Sequence, residues 1–210
     1  MCASTGANDN AAAVCVLLML LKSYIHHPPS IPLDIVFFDL EECGHLGRLA
    51  YIERCTAASI AAMINLDICG VGNTLLCASD RYARTTPFAQ PLRHTLQKNA
   101  LPCYILPTLP ASDDRSFEKA GIPTLSLCMI PDSDLMVMVA AMHALHRGKQ
   151  PQQRPSILDT FHNGCRDAPD TVEDEAMQYV LYWMSDFLEY FEANFNGMYR
   201  TYNTIGGQGE

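Results

Sequence analysis

One stretch constrains the fold of this chain more than any other, and it occupies residues 35–45. Residues 35–38 read Ile-Val-Phe-Phe, and so short and apolar a run is typical of a strand buried on both faces. The predicted strand covers 34–40 and ends in two adjacent acids, Glu41 and Glu42. Because ligands bind at the carboxyl ends of strands in open α/β sheets, these acids are candidate site residues. A strand that stops at a solvated acidic loop is the alternative.

Composition narrows the class of protein. A chain of 210 residues, 49% of them hydrophobic, suits one globular domain over 1–210 with a sizeable core. Its net charge of −9, without a basic cluster, argues against nucleic-acid binding. The nine cysteines are scattered without a CxxC pair, which argues against a cysteine zinc site and favours a reducing compartment.

The amino-terminal region bears on location. The apolar run over 11–21 is too short to span a bilayer, and Asn8-Asp9-Asn10 precede it instead of basic residues. We therefore expect no membrane partner and a cytoplasmic location for the chain as it stands. The first motif begins within a few residues of Met1, so an upstream segment, including an export signal, stays open.

Helices and strands alternate along the chain. Helices are predicted over 11–25, 46–55, 87–99, 112–119 and 171–195, and from a cap at 132 or 133 to 147; further strands are predicted over 61–67, 74–78, 103–106 and 124–129. We expect the Asn8–Asn10 cluster to cap the first helix and the tail from 196 to be loosely ordered. This alternation predicts an α/β fold, a three-layer αβα sandwich with a mostly parallel central sheet.

Several ionisable residues fall where such a fold would bring them together. Glu41, Glu42 and Asp67 follow predicted strands, Asp9 lies at a helix start, and His162 precedes the last helix. Carboxylates gathered in a partly desolvated cleft need a cation to neutralise them. Oxygen ligands with one imidazole suit zinc, or another divalent metal such as manganese or cobalt. Of two adjacent glutamates, one can bind metal while the other takes a proton from a metal-bound water.

The ordered motifs carry a resemblance over nearly the whole chain. They are GANDN at 6–10, FFDLEECGHLG at 37–47, NLD at 65–67, SDD at 112–114 with Phe117, GIP at 121–123, and His162. In order and rough spacing this set resembles the co-catalytic zinc aminopeptidases of the bacterial leucyl aminopeptidase type, a family related to the glutaminyl cyclases. The resemblance implies a single zinc-exopeptidase-like catalytic domain.

The resemblance also implies metal ligands. Asp9 would bridge two zinc ions, Glu42 and His162 would complete one zinc site, and Asp67 would bind the other zinc. The family's histidine ligand before the bridging aspartate has no counterpart among the eight residues that precede Asp9. The resemblance therefore leaves the number of metal ions at one or two.

Further roles follow from the same resemblance. Glu41 would be the general base of a metallo-aminopeptidase that hydrolyses the first peptide bond of a substrate with a free amino terminus. Asp113 and Asp114 would contact the substrate, with Asp114 standing where the family usually has histidine. Two alternatives stay open because of the missing histidine: a single-zinc, glutaminyl-cyclase-like acyltransferase, and a truncated or inactive peptidase-fold protein.

Overall fold

The computed structural model describes residues 4–55, 59–79, 87–99, 102–106, 109–110, 112–161 and 164–206, with the backbone alone at 146 and 196–206. Strands and helices alternate as the sequence predicts. The strands are β1 Met63–Leu66, β2 Thr74–Ser79, β3 Cys103–Leu106 and β4 Thr124–Ile130. The helices are α1 Ala12–His26, α2 Leu46–Arg54, α3 Ala89–Lys98, α4 Asp114–Lys119, α5 Leu135–His146 and α6 Asp174–Gly206.

The four strands form one mostly parallel sheet in the order β1-β4-β2-β3. β1 pairs with β4 in parallel, with Met63 opposite Thr124, and β2 pairs with β3 in parallel. β2 and β4 run antiparallel at the centre. All seven residues of β4 are buried, as expected for a strand that is covered on both faces.

Helices cover both faces of the sheet, which confirms the three-layer prediction. Neighbouring residues along β2 point to opposite faces. Leu75 packs into a core with Trp183 and Phe187 of α6, whereas Leu76 packs against Met138 of α5. The first core also contains side chains of α1 and α3. Helices α1, α3 and α6 therefore pack on the same face of the sheet.

The strand predicted over 34–40 is wrong. Among the described residues no strand pairs with this segment, and Phe37 is 46% exposed. The segment instead lines a cavity that residues 59–66 also line. An apolar run becomes a strand only where a neighbouring strand can satisfy its backbone groups, and here that neighbour is not among the described elements.

Three details at helix ends also differ from prediction. No side chain caps α1, because Asn8 and Asn10 bond elsewhere. α5 begins at Leu135 after a 3₁₀ turn at Asp132–Asp134, and no side-chain capping bond is formed there. α6 continues to Gly206, so the loosely ordered tail expected from 196 is helical that far.

One helical segment, Ala7–His26, is long and apolar enough by composition to cross a membrane. Core helices and signal sequences meet the same criterion. In this structure Val16 and Leu20 of the segment are buried in the core against the sheet and α6, while Leu18 and Ile25 are exposed.

Candidate metal centre

Carboxylates from distant parts of the chain meet at one cavity of about 770 Å³. Its acidic lining residues include Asp9, Glu41, Glu42, Asp67 and Asp113. Four of these were predicted as metal ligands or general base, and the fifth as a substrate contact. His162 lies outside the described residues, so its role stays a prediction.

Asp67 is placed by the end of β1, where its N–H donates to Leu127 O at 3.1 Å. Its Oδ2 accepts a 2.8 Å hydrogen bond from the Ser112 hydroxyl, which in turn accepts one from Asn65 Nδ2 at 3.1 Å. Burial, together with the charges of Asp9 and Glu41, raises the pKa of Asp67 to about 6, against the opposing effect of the Ser112 hydrogen bond. Asp67 and Asp9 are therefore close enough to repel each other when both are ionised.

Glu41 and Glu42 follow the extended segment and differ in surroundings. The Glu41 side chain is half-buried, and its Oε1 lies 2.8 Å from His45 Nδ1. Burial raises the pKa of Glu41, the neighbouring His45 opposes this, and the charges of Glu42, Asp113 and Asp9 add to the rise. A carboxyl with a raised pKa is suited to accept a proton near neutral pH. Glu42 is exposed and lines the cavity beside it.

The imidazole of His45, which the sequence did not mark as a site residue, lies beside Glu41 and Asp113. His45 Nδ1 lies 2.8 Å from Glu41 and 3.7 Å from Asp113 Oδ1. Single ligand atoms of these three residues lie within 4.8 Å of one another, so they could hold a metal ion. The only sequence signal for this contact is that Glu41 and His45 are four residues apart. That spacing indicates a contact only when the conformation of the turn between them is known.

Asp113 and Asp114 point in different directions. Asp113 lines the cavity, and Arg48 Nε lies 3.7 Å from its Oδ1. Asp114 is buried beneath the site, where it accepts hydrogen bonds from the Ser126 hydroxyl at 2.6 Å and the Ser112 N–H at 3.3 Å. Burial raises the pKa of Asp113, against the effect of the Arg48 and His45 charges. The substrate contacts of both residues stay predictions.

The backbone beside the site adopts uncommon conformations. Leu40, His45 and Ile68 have positive φ angles of 54°, 59° and 43°. Leu40 directly precedes Glu41, and Ile68 directly follows Asp67. Such conformations in non-glycine residues cost about 1–3 kcal/mol each and cluster at functional sites. Leucine and isoleucine rarely adopt positive φ angles, so nothing in the residue types of Leu40 and Ile68 indicates these conformations.

The donor set fits a divalent cation. Asp67 and Glu41 have raised pKa values because each is buried near other carboxylates. A bound cation would remove that repulsion and favour the ionised carboxylates. Oxygen donors from Asp9, Glu42 and Asp67, with an imidazole nearby, match the ligand chemistry of zinc.

Comparisons with known proteins point the same way. The model of peptidase family M28 matches residues 1–187. Two curated relatives, each named a probable zinc metalloprotease, come from Pyrenophora teres f. teres (strain 0-1) and Pyrenophora tritici-repentis (strain Pt-1C-BFP). Each is 39% identical over 67 residues, which is 31% of this chain and 14% or 15% of the relative.

Two solved structures share the fold. An aminopeptidase from Aneurinibacillus sp. strain AM-1 has a TM-score of 0.65 at 19% identity, covering 90% of this chain and 40% of that one. BSAP, a zinc aminopeptidase from Bacillus subtilis, has a TM-score of 0.68 at 18% identity, covering 88% and 42%. This chain therefore spans less than half the length of these solved structures, and its aligned part covers about one seventh of each curated relative.

Proposed function

This chain belongs to peptidase family M28, and from that premise we propose that it is a zinc-dependent aminopeptidase acting on peptides with a free amino terminus. One observation carries the proposal. The carboxylates of Asp9, Glu41, Glu42 and Asp67, which are up to 58 residues apart in sequence, line one cavity. The zinc-peptidase names of the relatives and of the solved structures support the same metal.

Asp9, Glu42, Asp67 and His162 are the residues that would hold zinc. Zinc, when bound there, supplies a Lewis acid that polarises the substrate carbonyl. The acidic lining of the cavity favours the cationic amino terminus of a peptide over a blocked one.

Glu41 is the proposed general base. Its Oε atoms reach the cavity, and its raised pKa keeps it able to take up a proton. It accepts a proton from the attacking water and returns one to the leaving amine, so that it ends the cycle ionised. His45, whose Nδ1 lies 2.8 Å from Glu41 Oε1, forms an ion pair with this carboxylate in the proposal when its imidazole is protonated.

The test is a pair of substitutions in the 210-residue chain loaded with zinc. Glu41→Gln removes the base and leaves the proposed ligands, so we expect turnover of an aminoacyl amide to fall at least about 100-fold with zinc retained. Asp9→Asn removes a ligand, so zinc and activity should both be lost. Zinc content and turnover are measured on the same samples.

Glu53→Gln is the matched control, because Glu53 is an exposed glutamate on α2; its zinc content and turnover should equal those of the wild type. Near-normal turnover of Glu41→Gln would show that the base is misassigned. A zinc-loaded wild type that cyclises amino-terminal glutamine and cleaves no aminoacyl amide would favour the cyclase alternative.

A further inference from the structure

Asn8, next to Asp9, is completely buried, and both ends of its amide are used. Its Oδ1 accepts a 2.8 Å hydrogen bond from the Gly70 N–H, and its Nδ2 donates one to the Thr160 hydroxyl at 2.8 Å. The first bond reaches the turn that follows Asp67, and the second reaches a separate part of the chain. Asn8 thus joins three segments that are far apart in sequence.

Asn10, on the other side of Asp9, reaches the same turn. Its Oδ1 accepts a hydrogen bond from the Ile68 N–H at 3.3 Å. The two asparagines therefore hold the backbone N–H groups of residues 68 and 70, immediately after Asp67. In the sequence, Asp9 therefore lies between the two asparagines whose side chains accept hydrogen bonds from the turn after Asp67.

Asp167 holds the same loop from the opposite side. Its side chain is 1% exposed and accepts hydrogen bonds from the N–H groups of Gly6 at 3.1 Å, Asn8 at 2.8 Å and Asp9 at 3.3 Å. A carboxylate that accepts several backbone hydrogen bonds strongly fixes the loop that supplies them. The position of the Asp9 backbone is therefore set by Asp167 and that of the Asp67 turn by the two asparagines.

Close packing restricts the turn that follows Asp67. A Cβ atom at Gly70 would lie 2.7 Å from Ala12 Cβ and 3.1 Å from Asn8 Oδ1. Only glycine lets the turn after Asp67 approach Asn8 this closely, so the hydrogen bond and the glycine depend on each other.

We propose that Asn8, Asn10 and Asp167 are positioning residues that set the separation of the Asp9 and Asp67 carboxylates and thereby the affinity for a divalent metal ion. The inference rests on the proposed function, because it takes Asp9 and Asp67 as ligands. Two like charges stay close only where the backbone holds them. The hydrogen bonds of Asn8, Asn10 and Asp167 hold the backbone in this way before any metal binds. Partners that orient metal ligands typically contribute about 10–100-fold to metal affinity.

The experiment measures zinc affinity of the 210-residue chain by competition with a chromophoric chelator. We expect Asn8→Ala to weaken zinc binding at least about tenfold and Asn10→Ala to weaken it about fivefold. Hydrogen exchange on the metal-free proteins is the second readout. The Gly70 amide should exchange faster in Asn8→Ala, and the Ile68 amide faster in Asn10→Ala.

Asp186→Asn is the matched control for Asp167→Asn. Asp186 also accepts hydrogen bonds, from Lys98 and from Asn99 Nδ2, but it lies on α6 and its partners lie at the carboxyl end of α3. Asp167→Asn should weaken zinc binding at least about tenfold, whereas Asp186→Asn should leave it unchanged even if both lower the stability of the metal-free chain. If Asn8→Ala does not fold, Asn10→Ala decides.

Zinc affinity within twofold of the wild type in Asn10→Ala and Asp167→Asn would overturn the inference while leaving the proposed function intact. A wild-type chain without measurable zinc affinity would overturn both, and the two failures are therefore distinguishable.

Discussion

Asp67 is a carboxyl whose protonation depends strongly on its surroundings. Burial raises its pKa from the ordinary 3.8 to about 6, so the folded metal-free chain binds this proton more tightly than the unfolded chain does. The stability that follows is fully present below pH 3.8 and is lost as the pH rises through about 6. From this shift we expect Asp67 to lower the free energy of unfolding by about 2 kcal/mol between pH 4 and pH 7.

Urea unfolding of the metal-free chain at a series of pH values tests this expectation. Asp67→Asn carries no titrating proton, so its fall in stability between pH 4 and pH 7 should be about 2 kcal/mol smaller than that of the wild type. The raised pKa values of Glu41 and Asp113 contribute to the fall in both proteins. Asp170→Asn, at an exposed carboxylate, should keep the wild-type profile. Identical profiles for Asp67→Asn and the wild type would mean that Asp67 is not buried as described.

Gly47 illustrates a residue whose identity the helix alone would not require. It lies in the first turn of α2, where alanine is ordinarily more stable than glycine by about 1 kcal/mol. A Cβ atom at Gly47 would, however, lie 2.5 Å from Asp39 O and 2.8 Å from Asp39 N. The backbone before Glu41 and the start of α2 pass too close for any side chain.

We therefore expect Gly47→Ala to destabilise the chain by about 1–3 kcal/mol, opposite in sign to the helix preference. Gly148→Ala is the comparison, because a Cβ there meets nothing within 4 Å and only its φ of 67° disfavours alanine. Urea unfolding measures both. A stabilised Gly47→Ala would contradict the close approach of α2 to Asp39.

At the scale of elements, the hydrophobic pattern of a segment predicted the secondary structure of that segment. It did not predict features that depend on contacts between two segments. The positions of strands β1 to β4 and of the helices follow from apolar runs and from the turn-forming residues that bound them. The segment over 34–40 has the same apolar character as β4, but β4 has neighbours on both sides and the segment has none among the described strands. Likewise the amides of Asn8 and Asn10 could cap a helix or bond across the fold, and only the folded turn at 68–70 decides.

The unpaired segment leads to a prediction that compares it with β4. Amides that are exposed and lack strand partners exchange without global unfolding, whereas those of a central strand require it. We expect the amides of residues 35–38 to exchange orders of magnitude faster than those of residues 125–128. Hydrogen exchange read by mass spectrometry or NMR measures both sets in one sample. Equal protection would mean that another strand covers the segment in solution.

At the scale of the whole molecule, the residues that line the site were more predictable from the sequence than the residues that hold them in position. Asp9, Glu41, Glu42 and Asp67 all line one cavity because the carboxyl end of β1 and the turns beside it face the same edge. His45, Arg48 and Asp167 were not predicted, since their roles arise from contacts between segments up to 163 residues apart, such as Ser4 to Asp167. A single sequence carries no record of those contacts.

The proposed ligands come from segments that are far apart in the sequence, so metal binding should stabilise the whole fold. A ligand that binds only the folded state adds about 2.7 kcal/mol at a concentration 100 times its dissociation constant. We expect zinc to raise the free energy of unfolding by this order at pH 7 and by less at pH 5, because Asp67 must lose its proton to bind. Urea unfolding with and without buffered zinc measures the gain.

Asp9→Asn should abolish most of that gain, and Asp170→Asn should keep it. The nine cysteines bind zinc in the unfolded chain and reduce the gain equally in all three proteins, so the difference between variants isolates the folded site. Equal gains in Asp9→Asn and the wild type would place the stabilising zinc outside the carboxylate cavity. A gain confined to the wild type and Asp170→Asn would tie the stability of the sheet and of α6 to the same ion that the proposed reaction needs.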